Sequence, residues 1–172
     1  MSSSKALHGE QAVQAVAKQL GRDLTLVERR VVEEEGFVPE IYKDTKGIDT
    51  YGVGQTGEYI KKGFPAALQA KAKRAAQRIP SLGQLPENLQ AELIQAEYRG
   101  DLGNSPTFLK LLNAGDYETA SKEFLDNDDY RRSVKDKTGV HKRMERVAAS
   151  VAEYGQLVKQ AEQARSFPSS MR

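Results

Sequence analysis

The sequence predicts an α+β fold that is mostly helical, with a small β-hairpin lobe, a larger helical lobe and a cleft between them. Apolar residues recur at helical spacing along most of the chain, whereas only residues 41–55 alternate apolar and polar side chains as paired strands do. The length of 172 residues suits one domain or two small lobes that share a helix. A cleft between two lobes is a usual place for an elongated ligand.

Residues 1–24 are expected to form an N-terminal extension with one short helix. Apolar residues recur there at helical spacing, and Gly21 follows them as a stop signal. These residues are Ala12, Val13, Val16, Ala17 and Leu20. Their apolar face predicts that the helix packs either onto the helical lobe or onto a partner protein.

Residues 25–60 are expected to contain a second helix and the β-hairpin lobe. Thr25 and Glu28 have the spacing of a capping box at the start of this helix, and Gly36 lies where its C-terminal cap belongs. The helix ends in a run of glutamates of which Glu35 is the last. The hairpin follows, with its turn predicted near residues 46–47.

Residues 61–80 are predicted to form a linker helix and residues 81–166 the helical lobe. Pro65 suits the first turn of the linker helix, and Pro80 breaks that helix. Later helices are predicted to begin near Pro86, Pro106, Asp116 and Val140. Residues 167–172 are expected to be a frayed tail.

The composition excludes several kinds of chemistry. Lys plus Arg is 26 and Asp plus Glu is 24, a surplus too small to indicate nucleic-acid binding. With 0 Cys and 2 His, thiolate catalysis and a three-His metal site are excluded, and we expect no metal and no cofactor. His141 and Glu145 are spaced to share a helix face, but two ligands are too few for a metal site. Carboxylates are therefore the expected catalytic groups.

We expect neither membrane insertion nor a secretory signal. No apolar run approaches the roughly 20 residues that a membrane helix needs. The segment from Met1 to His8 lacks the apolar stretch of a signal peptide.

Glu35 and Asp44 are the candidate catalytic carboxylates. Glu35 lies at a helix end, where the helix dipole and neighbouring glutamates predict the raised pKa that a general acid requires. Asp44 lies near the hairpin turn, where hydration favours its ionised form, and Thr50 on the returning strand offers a hydroxyl to orient a water. Gly52 and Gly54 would let a ligand approach the backbone closely. The simpler alternatives are a solvated glutamate face, a turn-forming Asp and an ordinary strand Thr.

Residues 35–54 resemble the catalytic motif of the phage-type lysozymes, the family of the T-even phage lysozymes. That motif is Glu-Gly, then Tyr-x-Asp-x-x-Gly, then Thr-x-Gly-x-Gly. It is matched here by Glu35-Gly36, Tyr42-Lys43-Asp44, Gly47 and Thr50-Tyr51-Gly52-Val53-Gly54. Weaker similarity extends the resemblance to roughly residues 26–152, and it implies a lysozyme-like fold.

The resemblance implies a muramidase that cuts the β-1,4 bond between N-acetylmuramic acid and N-acetylglucosamine in bacterial peptidoglycan. It implies that Glu35 is the general acid, that Asp44 assists a water on the opposite face of the sugar, and that Thr50 helps to place this water. The implied outcome is inversion, for which the two carboxylates should lie roughly 6.5–9.5 Å apart.

Arg143 and Arg146 match family arginines that reach toward the acid-bearing helix. An arginine near Glu35 would lower its pKa and so oppose the helix-end effect, and the sequence leaves open which effect is larger. The alternative for both arginines is an exposed helix face. Such a pair would also link the two lobes.

Other positions depart from the family pattern or carry two interpretations. Gln55 stands where the family usually has His, which removes a titrating group near the cleft. Tyr98 and Arg99 stand at the Phe and Gln of the family's Asn-x-x-Phe-Gln motif. Tyr98 and Phe108 are tentative substrate-binding residues, with packing in the core as the alternative.

Several biological settings stay open from the sequence. The enzyme could wait in the host cytoplasm and reach the periplasmic wall at lysis, or it could be carried in the virion, with residues 1–24 contacting a virion component or a larger protein. One alternative function is a non-catalytic module for glycan binding or virion structure. Another is a lytic transglycosylase, in which Asp44 and Thr50 would have no obvious purpose.

Overall fold

The computed structural model describes residues 6–166, which form helices around a small antiparallel sheet. The helices are α1 Gly9–Leu20, α2 Leu26–Glu35, α3 Tyr59–Lys62, α4 Phe64–Arg78, α5 Glu87–Arg99, α6 Pro106–Asn113, α7 Tyr117–Phe124, α8 Asp128–Asp136 and α9 Val140–Ser166. The strands are β1 Val38–Lys43, β2 Asp49–Gly52 and β3 Gln55–Thr56, and a 3-10 helix spans Leu82–Gln84. The predicted α+β class with a mostly helical chain is confirmed.

The sheet has three strands in the order β1-β2-β3, so the prediction of a two-stranded hairpin was incomplete. The Gly47 N–H donates to the Asp44 carbonyl at 2.9 Å and closes the turn near the predicted position. Thr50 pairs with Tyr42 on one side and with Thr56 on the other, which places β2 in the middle. Because β3 has 2 residues, it is too short for its alternation to be recognised in the sequence.

The predicted helix boundaries rest on caps that the structure contains. Thr25 Oγ1 accepts the Glu28 N–H at 3.2 Å, and the Glu28 carboxylate accepts the Thr25 N–H at 2.8 Å, which completes the capping box. Pro65 lies in the first turn of α4. Asp116 Oδ1 accepts the Thr119 N–H at 3.3 Å at the start of α7. These bonds join near neighbours in the chain, so sequence spacing alone could predict them.

The N-terminal helix α1 packs against α2, the helix that carries Glu35. Ala12, Val13 and Val16 are buried and belong to the same apolar core as α2. Leu7 pairs with Phe37 through two backbone hydrogen bonds of 2.8 and 2.9 Å, which joins the segment before α1 to the start of the sheet region. The apolar face of α1 is therefore covered inside the chain, and the helix that it packs against is the acid-bearing helix α2.

Helix α5 is central to the helical part, because it packs against α2, α4 and α9. On the other side of α9, α7 packs against both α6 and α9. Phe108 on α6 is 1% exposed, and its ring lies 4.7 Å from that of Phe124. The burial of this ring favours core packing, one of the two interpretations of Phe108, over substrate binding.

Helix α8 was not predicted, because its sequence contains few apolar residues to reveal a helical period. It begins where the Asn127 side chain accepts the Tyr130 N–H at 2.8 Å. Its buried residue is Ser133, whose hydroxyl lies 2.9 Å from His141 Nδ1 and 2.5 Å from Thr138 Oγ1. A polar contact of this kind leaves no hydrophobic pattern in the sequence.

Two features concern the limits of the described chain. The predicted frayed tail, residues 167–172, lies outside the described residues, as do residues 1–5. Among residues 6–166, no helix is both long enough and apolar enough to cross a membrane.

Candidate active site

Glu35 is the last residue of α2, and the chain leaves the helix through Gly36. Gly36 has φ +76°, and its N–H donates to the Val32 carbonyl at 2.8 Å. A Cβ at this position would lie 2.9 Å from the Leu7 carbonyl oxygen, so the segment before α1 covers the glycine. A glycine is needed here for its conformation and for space, and the tight exit places Glu35 next to the start of the sheet.

The Glu35 side chain is 22% exposed, and its Oε1 atom is buried without a hydrogen-bond partner among the described residues. Burial raises the pKa of Glu35, and this effect exceeds the lowering by Arg143 and Arg99. Asp101 and Glu34 add smaller effects that raise it. The predicted direction of the shift is therefore present, but desolvation is its largest cause rather than the helix end.

Arg143 and Arg146 both reach from α9 to the end of α2. Arg143 Nε lies 3.2 Å from Glu34 Oε2, and its Nη1 atom lies 3.7 Å from Glu35 Oε1. Arg146 also forms an ion pair with Glu34. The arginines thus contact the acid-bearing helix, as the resemblance implied, and the closer contacts are with Glu34.

Asp44 follows β1 directly and lies at the first position of the turn. Its Oδ1 atom accepts the N–H groups of Lys46 at 2.8 Å and Ile48 at 2.9 Å. The turn-forming interpretation of Asp44 is therefore correct as far as one carboxylate oxygen is concerned. Two backbone donors hold this side chain in a fixed orientation.

Tyr42 on β1 interacts electrostatically with both candidate carboxylates. Burial, followed by the negative charges of Glu35 and Asp44, raises the pKa of the Tyr42 hydroxyl. The fold therefore brings both candidate carboxylates near one tyrosine. Tyr42 belongs to the matched motif, but its sequence position alone indicated no role for it.

Thr50 pairs with Tyr42 across the sheet, and its side chain is buried. The Thr50 hydroxyl donates to the Ile48 carbonyl at 3.0 Å. A hydroxyl has one proton to donate and two lone pairs that accept, so Thr50 Oγ1 can still accept a hydrogen bond from a water.

A cavity of about 250 Å³ lies beside Glu35. Its lining residues are Gly54, Gln55, Thr56, Tyr59, Ala67, Ala70, Lys71 and Tyr98. Gly54 has φ +69°, and a Cβ there would lie 3.9 Å from both Glu35 Oε2 and Tyr98 Cε1. Glu35 itself is not among the lining residues, but the Gly54 part of the wall lies next to its carboxylate.

The position of Tyr98 is compatible with both interpretations that the sequence left open, substrate binding and packing in the core. Its ring lies edge-on to the Phe64 ring at 6.1 Å, and its hydroxyl donates to the Val53 carbonyl. Burial, then the charges of Glu35 and Tyr42, raises the pKa of the Tyr98 hydroxyl. Tyr98 therefore packs against the core and also lines the cavity beside Glu35.

Gln55 has a structural function in the turn between β2 and β3. The Gln55 side chain is buried, its Oε1 atom accepts the Val53 N–H at 2.9 Å, and its Nε2 atom donates to the Tyr59 carbonyl at 3.3 Å. A Cβ at Gly52 would lie 2.6 Å from Gln55 Oε1. The expectation that Gly52 makes room for a ligand was therefore wrong, because Gly52 makes room for the Gln55 amide.

One ion pair outside the matched carboxylates acts on this site. Arg99 and Asp101, at the end of α5, form an ion pair with an Nε–Oδ2 distance of 3.2 Å and both act on the pKa of Glu35. Only the motif position of Arg99 gave a sequence signal for them.

His141 Nδ1 contacts Ser133, and residues 6–166 contain no group of three or more His, Cys, Asp or Glu side chains placed to hold a metal.

Comparison with known proteins gives a family match over most of the chain. Residues 32–147 match the family model described as phage lysozyme, a range that covers about two thirds of the chain. The matched range includes Glu35, Asp44, Thr50, Arg143 and Arg146, and it leaves out α1. No curated protein matches the chain.

Proposed function

This chain belongs to the phage lysozyme family, and from that premise we propose that it is a muramidase. The family implies a peptidoglycan-cleaving activity. The proposed reaction is hydrolysis of the β-1,4 bond between N-acetylmuramic acid and N-acetylglucosamine, with inversion at the anomeric carbon.

The observation that carries the proposal is the environment of Glu35. Its carboxyl group is mostly buried, has a pKa raised above the ordinary value by that burial, and lies next to Gly54 in the wall of a cavity. A raised pKa extends the pH range in which Glu35 can donate a proton, as a general acid requires. Glu35 then donates its proton to the glycosidic oxygen as the bond from that oxygen to the anomeric carbon breaks. The leaving group is the 4-hydroxyl of N-acetylglucosamine.

Asp44 and Thr50 are proposed to act on the water that replaces this leaving group. Asp44 is proposed as the general base, and two backbone N–H groups bind its Oδ1 atom and orient its side chain. The water attacks the anomeric carbon from the opposite face and transfers one proton to Asp44. The second O–H of this water donates a hydrogen bond to Thr50 Oγ1. The charges of Glu35 and Asp44 at Tyr42 support placing both carboxylates at one site.

Two settings suit this activity, release of phage from the host and entry through the wall. In the first, the enzyme reaches the wall from the host cytoplasm, and in the second a virion carries it. Because α1 buries its apolar face against α2, that face offers no support for a virion partner. Both settings share the same proposed substrate.

The test is digestion of purified Gram-negative sacculi by the wild type and by Glu35→Gln, with the products identified by mass spectrometry. Glu33→Gln is the matched control, since Glu33 is an exposed neighbour on the same helix. We expect reducing-end muropeptides from the wild type and the control, and a loss of at least about 100-fold in Glu35→Gln.

Other outcomes separate the alternatives. Anhydro-muropeptides would show a lytic transglycosylase and would remove the proposed purpose of Asp44 and Thr50. If no protein releases products although the folded wild type sediments with sacculi, the chain is a binding or structural module.

A further inference from the structure

A second ion pair lies beside Glu35 in addition to the contact with Arg143. Arg99 is the last residue of α5, and Asp101 follows one residue after the helix end. Their side chains are 26% and 14% exposed, and Arg99 Nε lies 3.2 Å from Asp101 Oδ2. Glu35 therefore has two largely buried cations near it, and each is paired with a different carboxylate, Arg143 with Glu34 and Arg99 with Asp101. The contact between Arg99 Nε and Asp101 is an ion pair and not a hydrogen bond, because Arg99 Nε has no hydrogen-bond partner among residues 6–166.

The end of α5 explains why these two residues meet. Gly100 has φ +96°, its N–H donates to the Glu97 carbonyl, and the Asp101 N–H donates to the Ala96 carbonyl, both at 2.9 Å. This pair of bonds is a Schellman motif, which turns the chain back at the helix end. The turn brings Asp101 alongside Arg99, so the local backbone sets the ion pair.

We propose that Asp101 is a positioning residue for Glu35, because it holds the Arg99 guanidinium and thereby prevents this second cation from binding the Glu35 carboxylate. This inference rests on the proposed function of Glu35 as the general acid. It concerns a residue outside the matched catalytic motif. It also gives a purpose to Arg99, which stands where the family has Gln.

The charged and titratable groups around this pair come from several elements. Glu35 faces Arg143 from α9, Arg99 and Asp101 from the end of α5, and Glu34 from its own helix. The charge of Glu35 also acts on the hydroxyl groups of Tyr42 and Tyr98 and raises the pKa of both. Asp101 faces Arg99, Arg143 and Asp129. Glu35 therefore stays protonated to higher pH when the charge of Arg99 is compensated.

The proposal predicts effects of opposite sign for the two partners. Asp101→Asn releases Arg99 toward Glu35, so the pKa of Glu35 falls. Arg99→Gln removes a cation, so the pKa of Glu35 rises. In the double variant the released cation is absent, so the fall caused by Asp101→Asn should largely disappear. Because Glu35 must be protonated to act as an acid, the alkaline limb of kcat/KM moves in the same direction as its pKa.

The experiment measures the pH profile of kcat/KM on sacculi together with the carbon-13 NMR titration of the Glu35 carboxyl. The signal is assigned by its absence in Glu35→Gln. We expect Asp101→Asn to move both readouts down by about 0.5 pH unit or more, which is roughly a threefold loss of activity above the limb. Arg99→Gln should move the alkaline limb and the NMR titration to higher pH. Asp101→Glu keeps a carboxylate at this position and should leave the alkaline limb at its wild-type pH.

The control is Glu118→Gln, which removes an exposed carboxylate paired with Lys159 between α7 and α9. Neither Glu118 nor Lys159 is among the groups that act on Glu35 or Asp101. Its pH profile should match the wild type. The proposal is overturned if Asp101→Asn and Arg99→Gln shift the titration in the same direction, or if activity falls without a shift. It is also overturned if Asp101→Asn lowers the pKa of Glu35 equally with and without Arg99, because Asp101 then acts on Glu35 through its own charge. The NMR titration does not require turnover, so it tests the positioning role even if the muramidase proposal fails.

Discussion

Arg143 Nη1 lies 3.7 Å from Glu35 Oε1, a distance too long for a hydrogen bond. The same guanidinium binds Glu34 more closely, with Nε 3.2 Å from Glu34 Oε2. Glu34 therefore anchors Arg143, and Glu35 Oε1 stays buried without a hydrogen-bond partner among residues 6–166. This arrangement links α9 to α2 while the carboxyl group of Glu35 keeps a raised pKa.

Glu35→Gln is expected to make the folded protein more stable at neutral pH. Burial raises the pKa of Glu35 in the folded state above its unfolded value, so the folded state binds the proton more tightly. The free energy of unfolding of the wild type therefore falls as the pH rises from about 4 through the raised pKa. The amide of the variant does not titrate. Its free energy of unfolding should therefore exceed that of the wild type by on the order of 1 kcal/mol at pH 8 and by little at pH 4.

Urea unfolding at both pH values measures this difference. Glu33→Gln is the control, and its stability relative to the wild type should stay within about 0.5 kcal/mol at both. A variant less stable than the wild type at pH 8 would show that ionised Glu35 stabilises the fold through its arginines.

Gly52→Ala is expected to destabilise the protein more than Gly47→Ala. Both glycines have positive φ, +66° and +78°, so alanine costs each roughly 1–2 kcal/mol. At Gly52 the new Cβ would also displace Gln55 Oε1, 2.6 Å away, and leave the Val53 N–H without its acceptor. The loss of this bond adds about 1–3 kcal/mol.

The measurement is the difference in the free energy of unfolding between the two variants. A Cβ at Gly47 would point into open space, with no neighbouring side chain or backbone atom within 4 Å, so the Gly47 variant isolates the backbone strain. Equal destabilisation of the two variants would contradict the close contact between Gly52 and the Gln55 amide.

Val16→Ala is expected to destabilise the whole protein by about 1–3 kcal/mol, because Val16 is buried between α1 and the rest of the core. Lys18→Ala on the exposed face of the same helix should change stability by less than about 0.5 kcal/mol. Cooperative urea unfolding checks both values. If Val16→Ala leaves the transition unchanged, α1 is an appendage that folds and unfolds separately.

The sequence by itself predicted most of the helix boundaries and the position of the turn. The Thr25–Glu28 capping box, Pro65 and the Asp116 cap act on residues within the next turn of chain, so their spacing is sufficient. The selection of Glu35, Asp44 and Thr50 came from the resemblance of residues 35–54 to one family motif, which the sequence alone displays.

Features that depend on distant residues were predicted poorly. Phe108 was assigned to two alternatives because an aromatic residue on a helix has the same pattern whether it faces the core or a ligand. Gly52 was assigned to ligand access, whereas its neighbour is the Gln55 amide. Helix α8 was missed because its buried contact is the hydroxyl of Ser133, which has no hydrophobic period.

The sequence thus determined the fold class, the local caps and which carboxylates are candidates for catalysis. The tertiary structure decided the direction in which the pKa of Glu35 shifts, because this pKa depends on burial and on charges from the end of α5, from α9 and from its own helix. It also decided that α1 packs on the acid-bearing helix and that Asp101 binds Arg99. Burial and Coulomb energy depend on distances in space, and residues far apart in the chain set those distances.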